Sequence, residues 1–399
     1  MKKENNLSRR NFLGLSGAIA TGLAISGQSS FAKSLFTEVP YVGKKFKIGI
    51  LGCGNRSKTI ISALNSVPEI EIAALCDVVA HKTRQRAELI KTGAKPVHYT
   101  DMDKMFKRSD LDAIAVITPN YMHKDHVIAA LEAGKDVFCE KPLAMTVAEC
   151  NAIIKAVKKT GKSLQIGTQR RHSPEYRKFV EVIRSRPVGK ILQSDLFDYR
   201  GDWRVPEADE YPKGLQYWRL NQAQSGGVVY EMGAHIIDVN NWVFDSEPVA
   251  IASLQAVNNS TIRKRDSADH AGVLVQYANG AMMNYGGNVY NYGANSDDTF
   301  FFENASVQMG GGRVKVSYGY PRGLPQKVQL PEKPEEVSLK GTNREGDGVV
   351  QSLQHFAKVL AGTERPYPDA TIGRQSVQVL EGSVRAARER RVIDVKELG

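Results

Sequence analysis

Past residue 45 the chain alternates between short, nearly all-apolar bursts and longer stretches whose apolar positions recur every three or four residues. The bursts predict strands over 47–51, 70–77, 97–99, 112–117, 136–139 and 163–166. Runs apolar on both faces suit parallel strands covered on two sides. The 3.6-period stretches predict helices starting near Arg56 and over 81–91, 103–108, 124–133 and 147–159, the last two ended by Gly134 and Gly161. Strands and helices alternating through short links predict an α/β, doubly wound parallel sheet over 44–166. The pattern changes from 167 onwards. Ser173-Pro174 starts a helix to 184. Val228, Met232, Ile236, Val239 and Val243 form the apolar stripe of another helix. Segments 272–277 and 281–285 alternate as half-buried strands around the turn Ala278-Asn279-Gly280. Residues 321–347 read as a long surface loop, and helices follow over 348–360 and 373–390. The expectation for 167–399 is an α+β domain.

A length of 399 residues suits two domains. The net charge is +11, of which Lys2, Lys3, Arg9 and Arg10 against Glu4 supply +3, leaving +8 for the remainder. That surplus is spread out. Arg263-Lys264-Arg265 and the run 385–391 are interrupted or bordered by acids and apolar residues, so no nucleic-acid partner is expected. No apolar run reaches the ~18 residues of a membrane span. Cys53, Cys76, Cys139 and Cys150 show no metal or disulfide spacing and read as small buried hydrophobes. Residues 1–32 have a charged start, a mildly apolar stretch and Ser30-Phe31-Ala32, the layout of a cleaved export signal. Arg9-Arg10 followed by Asn11-Phe12-Leu13 resembles the twin-arginine signal, which predicts a periplasmic protein exported after folding.

Candidate chemistry begins at the end of the first strand. Residues 46–57 read as a strand, a Gly52-Cys53-Gly54 turn and a helix start. Gly52 permits a sharp turn, Gly54 lets a pyrophosphate approach the backbone, and the helix start offers free N–H groups. Ser57 stands where the fingerprint has its third glycine. Asp77 ends the second strand roughly 20 residues on, where a carboxylate meets the ribose hydroxyls of NAD. Arg84 offers a partner for a 2′-phosphate, so NAD is preferred while NADP stays open. Gly52, Asp77, Thr118, Pro119, His123 and Lys141 all fall at the carboxyl ends of strands, where such sheets bind ligands.

The second half adds substrate candidates. Arg170, Arg171 and His172 occupy the link before the 174–184 helix, as substrate contacts or as surface charge. Trp203, among other aromatics, carboxylates and guanidinium groups, suits a carbohydrate: rings stack on its C–H face and polar groups take its hydroxyls. At ~100° per residue Glu231, His235 and Asp238 share one helix face. Asp238 either reaches substrate or pairs structurally. The acid–His spacing lacks a third ligand, so no metal is expected.

Gly-Cys-Gly-Asn-Arg, Thr-Pro-Asn-x-x-His and Glu-Lys-Pro, at these spacings on strand ends, resemble the Gfo/Idh/MocA family of glucose-fructose oxidoreductase and inositol dehydrogenase. The resemblance implies a Rossmann domain followed by a domain with a large open, mostly antiparallel sheet, with NAD(P) in the crevice between them. It adds Asn55, Arg56, Asn120 and Glu140 to Gly52, Gly54, Asp77, Thr118, Pro119, His123 and Lys141 as expected cofactor contacts. For His123 a plain loop role is an equal alternative. The resemblance also implies that Lys141 lies beside the nicotinamide and the reacting hydroxyl. His235 is then the general base, and Glu231, often Asp in the family, its partner or a substrate ligand. The open sheet implies a homodimer or homotetramer.

The expected function is hydride transfer from a sugar or sugar derivative. Outside the cytoplasm free dinucleotide is scarce, which calls for a tightly bound, recycled cofactor. A glycosidase working by transient oxidation and elimination is the second reading. Gly226-Gly227-x-x-Tyr230-Glu231-x-x-x-His235 does not look like the pattern of exported N-acetylgalactosaminidases. A non-catalytic sugar-binding protein is third, and the presence of both Lys141 and His235 counts against it.

Overall fold

A computed structural model of the chain describes residues 43–91, 93–201, 211–258, 264–289, 298–319, 329–339 and 348–399. The expected export signal and Trp203 lie outside the described residues. Six parallel strands form the first sheet: β1 Phe46–Leu51, β2 Ile70–Cys76, β3 Val97–Tyr99, β4 Ala113–Val116, β5 Asp136–Cys139 and β6 Leu164–Ile166. Their order is β3-β2-β1-β4-β5-β6. The order reverses between β1 and β4, which opens a crevice at their carboxyl ends. Helices α1 Asn55–Leu64, α2 Ala80–Ala87, α3 Met102–Phe106, α4 His123–Glu132 and α5 Val147–Thr160 alternate with the strands. Local chemistry sets the ends of α5. Thr146 and Glu149 form a capping box, and Gly161 takes the left-handed conformation at φ +67°.

The second sheet has nine strands: β7 Ile191–Tyr199, β8 Pro248–Ala256, β9 His270–Tyr277, β10 Met282–Asn288, β11 Asp298–Phe302, β12 Ala305–Gly310, β13 Arg313–Tyr318, β14 Glu335–Ser338 and β15 Ile393–Asp394. Their order is β14-β13-β12-β11-β7-β10-β9-β8-β15, antiparallel except where β10 pairs with β7. Buried and exposed positions alternate along β9 and β12, so one face packs and the other stays open. Strand β14 falls inside the stretch expected as loop. It pairs with β13 from Arg313↔Ser338 to Val316↔Glu335. Its sequence Glu-Glu-Val-Ser is short and charged, as suits an edge, and carries too little apolar signal to read as a strand.

The helix α6 Pro174–Ser185 follows β6. After β7 come the short α7 Gln222–Ser225, a π-helical turn Val229–Gly233 and α8 Ala234–Phe244. The expected unbroken helix over 228–243 is therefore widened at its start. Gly226 and Gly227, at φ +77° and +71°, lead into it, and Gly233 has no Cβ where the Tyr285 ring passes. A π-turn shifts the face on which later residues point, so the 100° rule fails across it.

Two late helices, α9 Val349–Leu360 and α10 Ala370–Glu389, return to the first sheet. Val349, Leu353 and Phe356 of α9 share one core with Ile48, Ile72 and Phe138. The rings of Phe138 and Phe356 lie 5.7 Å apart. On the other face, Val377 and Leu380 of α10 join Ile114, Val137 and Cys150 in a core that runs on into the second sheet.

Candidate active site

Gly52 has φ +97°, and a Cβ there would stand 2.6 Å from the Ile117 carbonyl oxygen just past β4, so only glycine makes this turn from β1 into α1. Gly54 caps α1, and a Cβ on it would meet nothing within 4 Å. The open side faces a cavity of ≈ 350 Å³ lined by Gly52, Gly54, Asn55, Thr118 and Pro119. Helix α1 has no side-chain cap bond at its start and no acid in its first turn, so its first N–H groups are left for an anion. A glycine cradle under a helix start fits the pyrophosphate of a dinucleotide.

Ser57, in place of the third glycine, is fully buried and donates to the Gly54 carbonyl at 2.6 Å. The Arg86 guanidinium of α2 holds the same carbonyl, at 3.2 Å from Nη2, and the Ser57 hydroxyl, at 3.0 Å from Nε. Arg86 escaped the sequence reading, because one arginine on a polar helix face carries no signal. Asp77 lines the cavity, and its carboxylate accepts from the amides of Cys53 at 2.7 Å and Val79 at 2.9 Å. Burial raises its pKa, and those two amides oppose the rise. Each oxygen keeps a lone pair for a ribose hydroxyl.

Several expected cofactor contacts are engaged by the protein itself. Arg56 Nε lies 2.7 Å from Glu140 Oε1, an ion pair joining α1 to the end of β5. His123 is buried, with Nδ1 2.6 Å from the Pro142 carbonyl and Nε2 2.9 Å from the Thr118 carbonyl. It therefore ties the turn after β4 to the loop after β5. Asn120 Nδ2 reaches across to the second domain, donating to Ser225 O at 3.1 Å and Glu231 Oε1 at 2.7 Å.

Two residues left open between a substrate contact and another role are turned to each other. Arg171 and Asp238 are 4 % and 0 % exposed and paired to each other, with Nε 2.9 Å from Oδ2. Ser376 and Tyr367 complete that buried cluster. Glu231 sits in the π-turn and Asp238 on α8 after it, and the two meet different partners. Arg170 stands over the Tyr176 ring at 5.0 Å.

The chemical end of the cavity is built by Lys141 and Glu231, both in its lining. Lys141 Nζ donates to the main-chain carbonyl of Glu231 at 2.8 Å. The Glu231 carboxylate accepts from Asn120 on one oxygen and from Arg219 Nε, at 3.0 Å, on the other. Burial works against its charge, but the Arg219 and Lys141 cations outweigh this and hold its pKa below the ordinary value. Burial lowers the pKa of Lys141, opposed by Glu231 and Glu140. His235 does not line the cavity among the described residues. Its Nδ1 is buried without a hydrogen-bond partner in the described structure. Burial, helped by the Lys141 charge, pushes its pKa well down, so the ring is neutral, and a weaker base than an ordinary imidazole. The four cysteines are buried and free, and burial raises the Cys76 thiol to about 12. Among the described residues no group of His, Cys, Asp and Glu is placed to hold a metal. No described helix is long and apolar enough to cross a membrane.

Residues 46–168 match the family described as "Oxidoreductase family, NAD-binding Rossmann fold", and residues 176–307 match the GFO/IDH/MocA C-terminal domain. Inositol 2-dehydrogenase of Salmonella typhimurium is 34 % identical over 203 residues, 50 % of this chain and 55 % of its own length. The chain thus spans about half the length of that relative. Glycosyl hydrolase family 109 protein 1 of Shewanella sp. ANA-3 is 25 % identical over 302 residues, 70 % of this chain and 65 % of its own. The crystal structure of aldose-aldose oxidoreductase from Caulobacter crescentus, complexed with glycerol, shares the fold. Its TM-score is 0.72 at 23 % identity, over 88 % of this chain and all of that one. With both domain patterns matched in order along one chain, on a six-stranded parallel sheet followed by a nine-stranded one, this protein belongs to the GFO/IDH/MocA oxidoreductase family.

Proposed function

We propose that this protein oxidises a hydroxyl of a sugar or sugar derivative with a dinucleotide held in the crevice, NAD in preference to NADP. The observation that carries the reading is the meeting of Lys141, from the first domain, with Glu231, from the second, at one end of the glycine-cradled cavity. When bound there, the nicotinamide supplies the hydride acceptor. Gly54 and the start of α1 hold the pyrophosphate, and Asp77 takes the ribose. His235, half-buried near the Lys141 charge, accepts the substrate hydroxyl proton as the general base. Lys141 Nζ holds the same oxygen and stabilises its developing charge. Glu231, kept ionised, accepts from a neighbouring hydroxyl. The relatives named for inositol and aldose chemistry support the substrate class.

The signal-like first 32 residues favour periplasmic export by the twin-arginine route, with the cofactor bound tightly before export. The open face of the second sheet is the surface for a homodimer or homotetramer. The direct test is mass spectrometry of the purified protein after mild denaturation, followed by absorbance at the nicotinamide band with a panel of sugars and cyclitols. Release of bound NAD and a substrate-dependent absorbance change are expected; a protein that neither carries nor binds a dinucleotide refutes the reading. The Shewanella relative favours a glycosidase as the second reading. Aglycone release from a glycoside without net change in nicotinamide absorbance distinguishes it.

A further inference from the structure

Residues 211–220, between β7 and α7, run the length of the cavity. Tyr211, Leu215, Tyr217, Trp218 and Arg219 all line it. At one end the Tyr211 ring takes Lys82 Nζ of α2 at 5.7 Å, close to where Asp77 ends β2. At the other, Tyr217 adopts φ +55° and opens a 3-10 turn, Trp218–Leu220, that carries Arg219. The Arg219 guanidinium lies 4.6 Å from the Trp218 ring and reaches Glu231 Oε2 at 3.0 Å. This end is anchored beneath: the Arg219 carbonyl accepts from Ser267 Oγ at 3.0 Å, and the Leu220 carbonyl from the amides of Asp266 and Ser267. The segment is therefore tied to both ends of the dinucleotide cavity by side chains that reach from one domain to the other or across the site.

We propose that residues 211–220 are a strap closing over the bound dinucleotide, and that Arg219 on it is a positioning residue that fixes Glu231 for the reaction. The proposal rests on the dinucleotide reading above. Glu231 is gripped from both sides, by Asn120 of the first domain at 2.7 Å and by Arg219 of the strap. Cofactor retention and the setting of that carboxylate become one event. With the strap in place Glu231 keeps its charge at the same end of the cavity as Lys141. Without Arg219, burial is opposed mainly by Lys141, from the loop after β5. The other groups around this end are Arg56 of α1, Glu140 of β5's end, Arg170 of the turn after β6, Arg200 after β7, and His235 on α8. None of them bonds the Glu231 carboxylate directly in the described structure.

The test uses the full-length purified protein, stripped and reloaded with NAD⁺ or NADH. Release of NADH is followed by its fluorescence, and affinity for each dinucleotide is measured from pH 6 to pH 8. Tyr211→Ala should release NADH faster by a factor of about 2–30, the range of one cation–π contact. Tyr211→Phe, which keeps the ring, should release it at the wild-type rate. An ionised Glu231 favours the cationic NAD⁺ over NADH. Arg219→Gln should therefore introduce a fall in NAD⁺ affinity as pH drops from 8 to 6, roughly tenfold for each unit by which the Glu231 pKa has risen into that window. NADH affinity should not follow, and Arg219→Lys should keep the NAD⁺ profile flat. A merely structural arginine would weaken both dinucleotides without a pH slope, and that result overturns the positioning role. Wild-type release rates in Tyr211→Ala overturn the strap. Wild-type protein that binds neither dinucleotide overturns the cofactor reading itself and this proposal with it.

Discussion

Asp77 is placed to serve a turn and, on the proposed reading, a ligand at once. It accepts the Cys53 and Val79 amides, and so helps to shape the glycine turn that it borders. Asp77→Ala should weaken NAD⁺ on the order of tenfold, about 1.4 kcal/mol, and NADP⁺ less, by titration calorimetry. Equal losses for the two would mean that Asp77 supports only the turn. The Arg171–Asp238 pair belongs to stability. Asp238→Ala leaves a buried guanidinium uncompensated and should cost about 3–5 kcal/mol, read as a lower urea midpoint at unchanged m-value. That residue looked like a substrate ligand in the sequence because it lies seven positions after Glu231, two turns of an ordinary helix. Arg219 had the opposite fate. It lies in an aperiodic stretch, and its partner is twelve residues away inside the π-turn, so no spacing rule joins them.

At the scale of elements, the glycine turn separates fold from ligand. Gly52→Ala forces a Cβ at φ +97° against the Ile117 carbonyl and should cost about 1–3 kcal/mol. Gly54→Ala meets no atom and has an ordinary φ of −71°. It should leave the melting temperature nearly unchanged while weakening dinucleotide binding by on the order of tenfold. Equal loss of stability in both would mean that the cradle is structural. The elements of the first sheet were legible because all-apolar parallel strands, helical periodicity and glycine stops are local signals. Predicted and observed bounds there differ by at most two residues, except at the C-terminal end of α2, expected at 91 and found at Ala87. The π-turn was not legible. Its residues suit an α-helix, and neither the left-handed Gly226 and Gly227 before it nor the Tyr285 ring beside Gly233 carries a periodic signal. Strand β14 owes its pairing to β13 rather than to its own composition.

The molecule as a whole should be sensitive to acid. His126 and His172 are buried, and burial lowers both pKa values to about 4. An unfolded chain takes up these protons near pH 6.5, so between about 6.5 and 4 the unfolded state binds more protons than the folded one. Stability is then full above about pH 6.5 and falls as pH drops towards 4. Thermal melts across that range should show the loss, and His172→Gln should flatten part of it; an unchanged slope would place the sensitivity elsewhere. His172 holds the Tyr367 carbonyl and stacks near His355, so its proton loosens the seam between the two halves of the chain. That seam has a consequence for synthesis. Phe356 completes the core under β1, and the Pro368 carbonyl accepts the Ile166 amide of β6. The nucleotide domain is encoded first but finished last. A ribosome moving at about 5–20 residues per second needs roughly 10–40 s to go from residue 166 to residue 360. Over that interval the face that α1 covers in part lacks the apolar side of α9. The first half of the chain is expected to reach its full stability only when the last helices arrive.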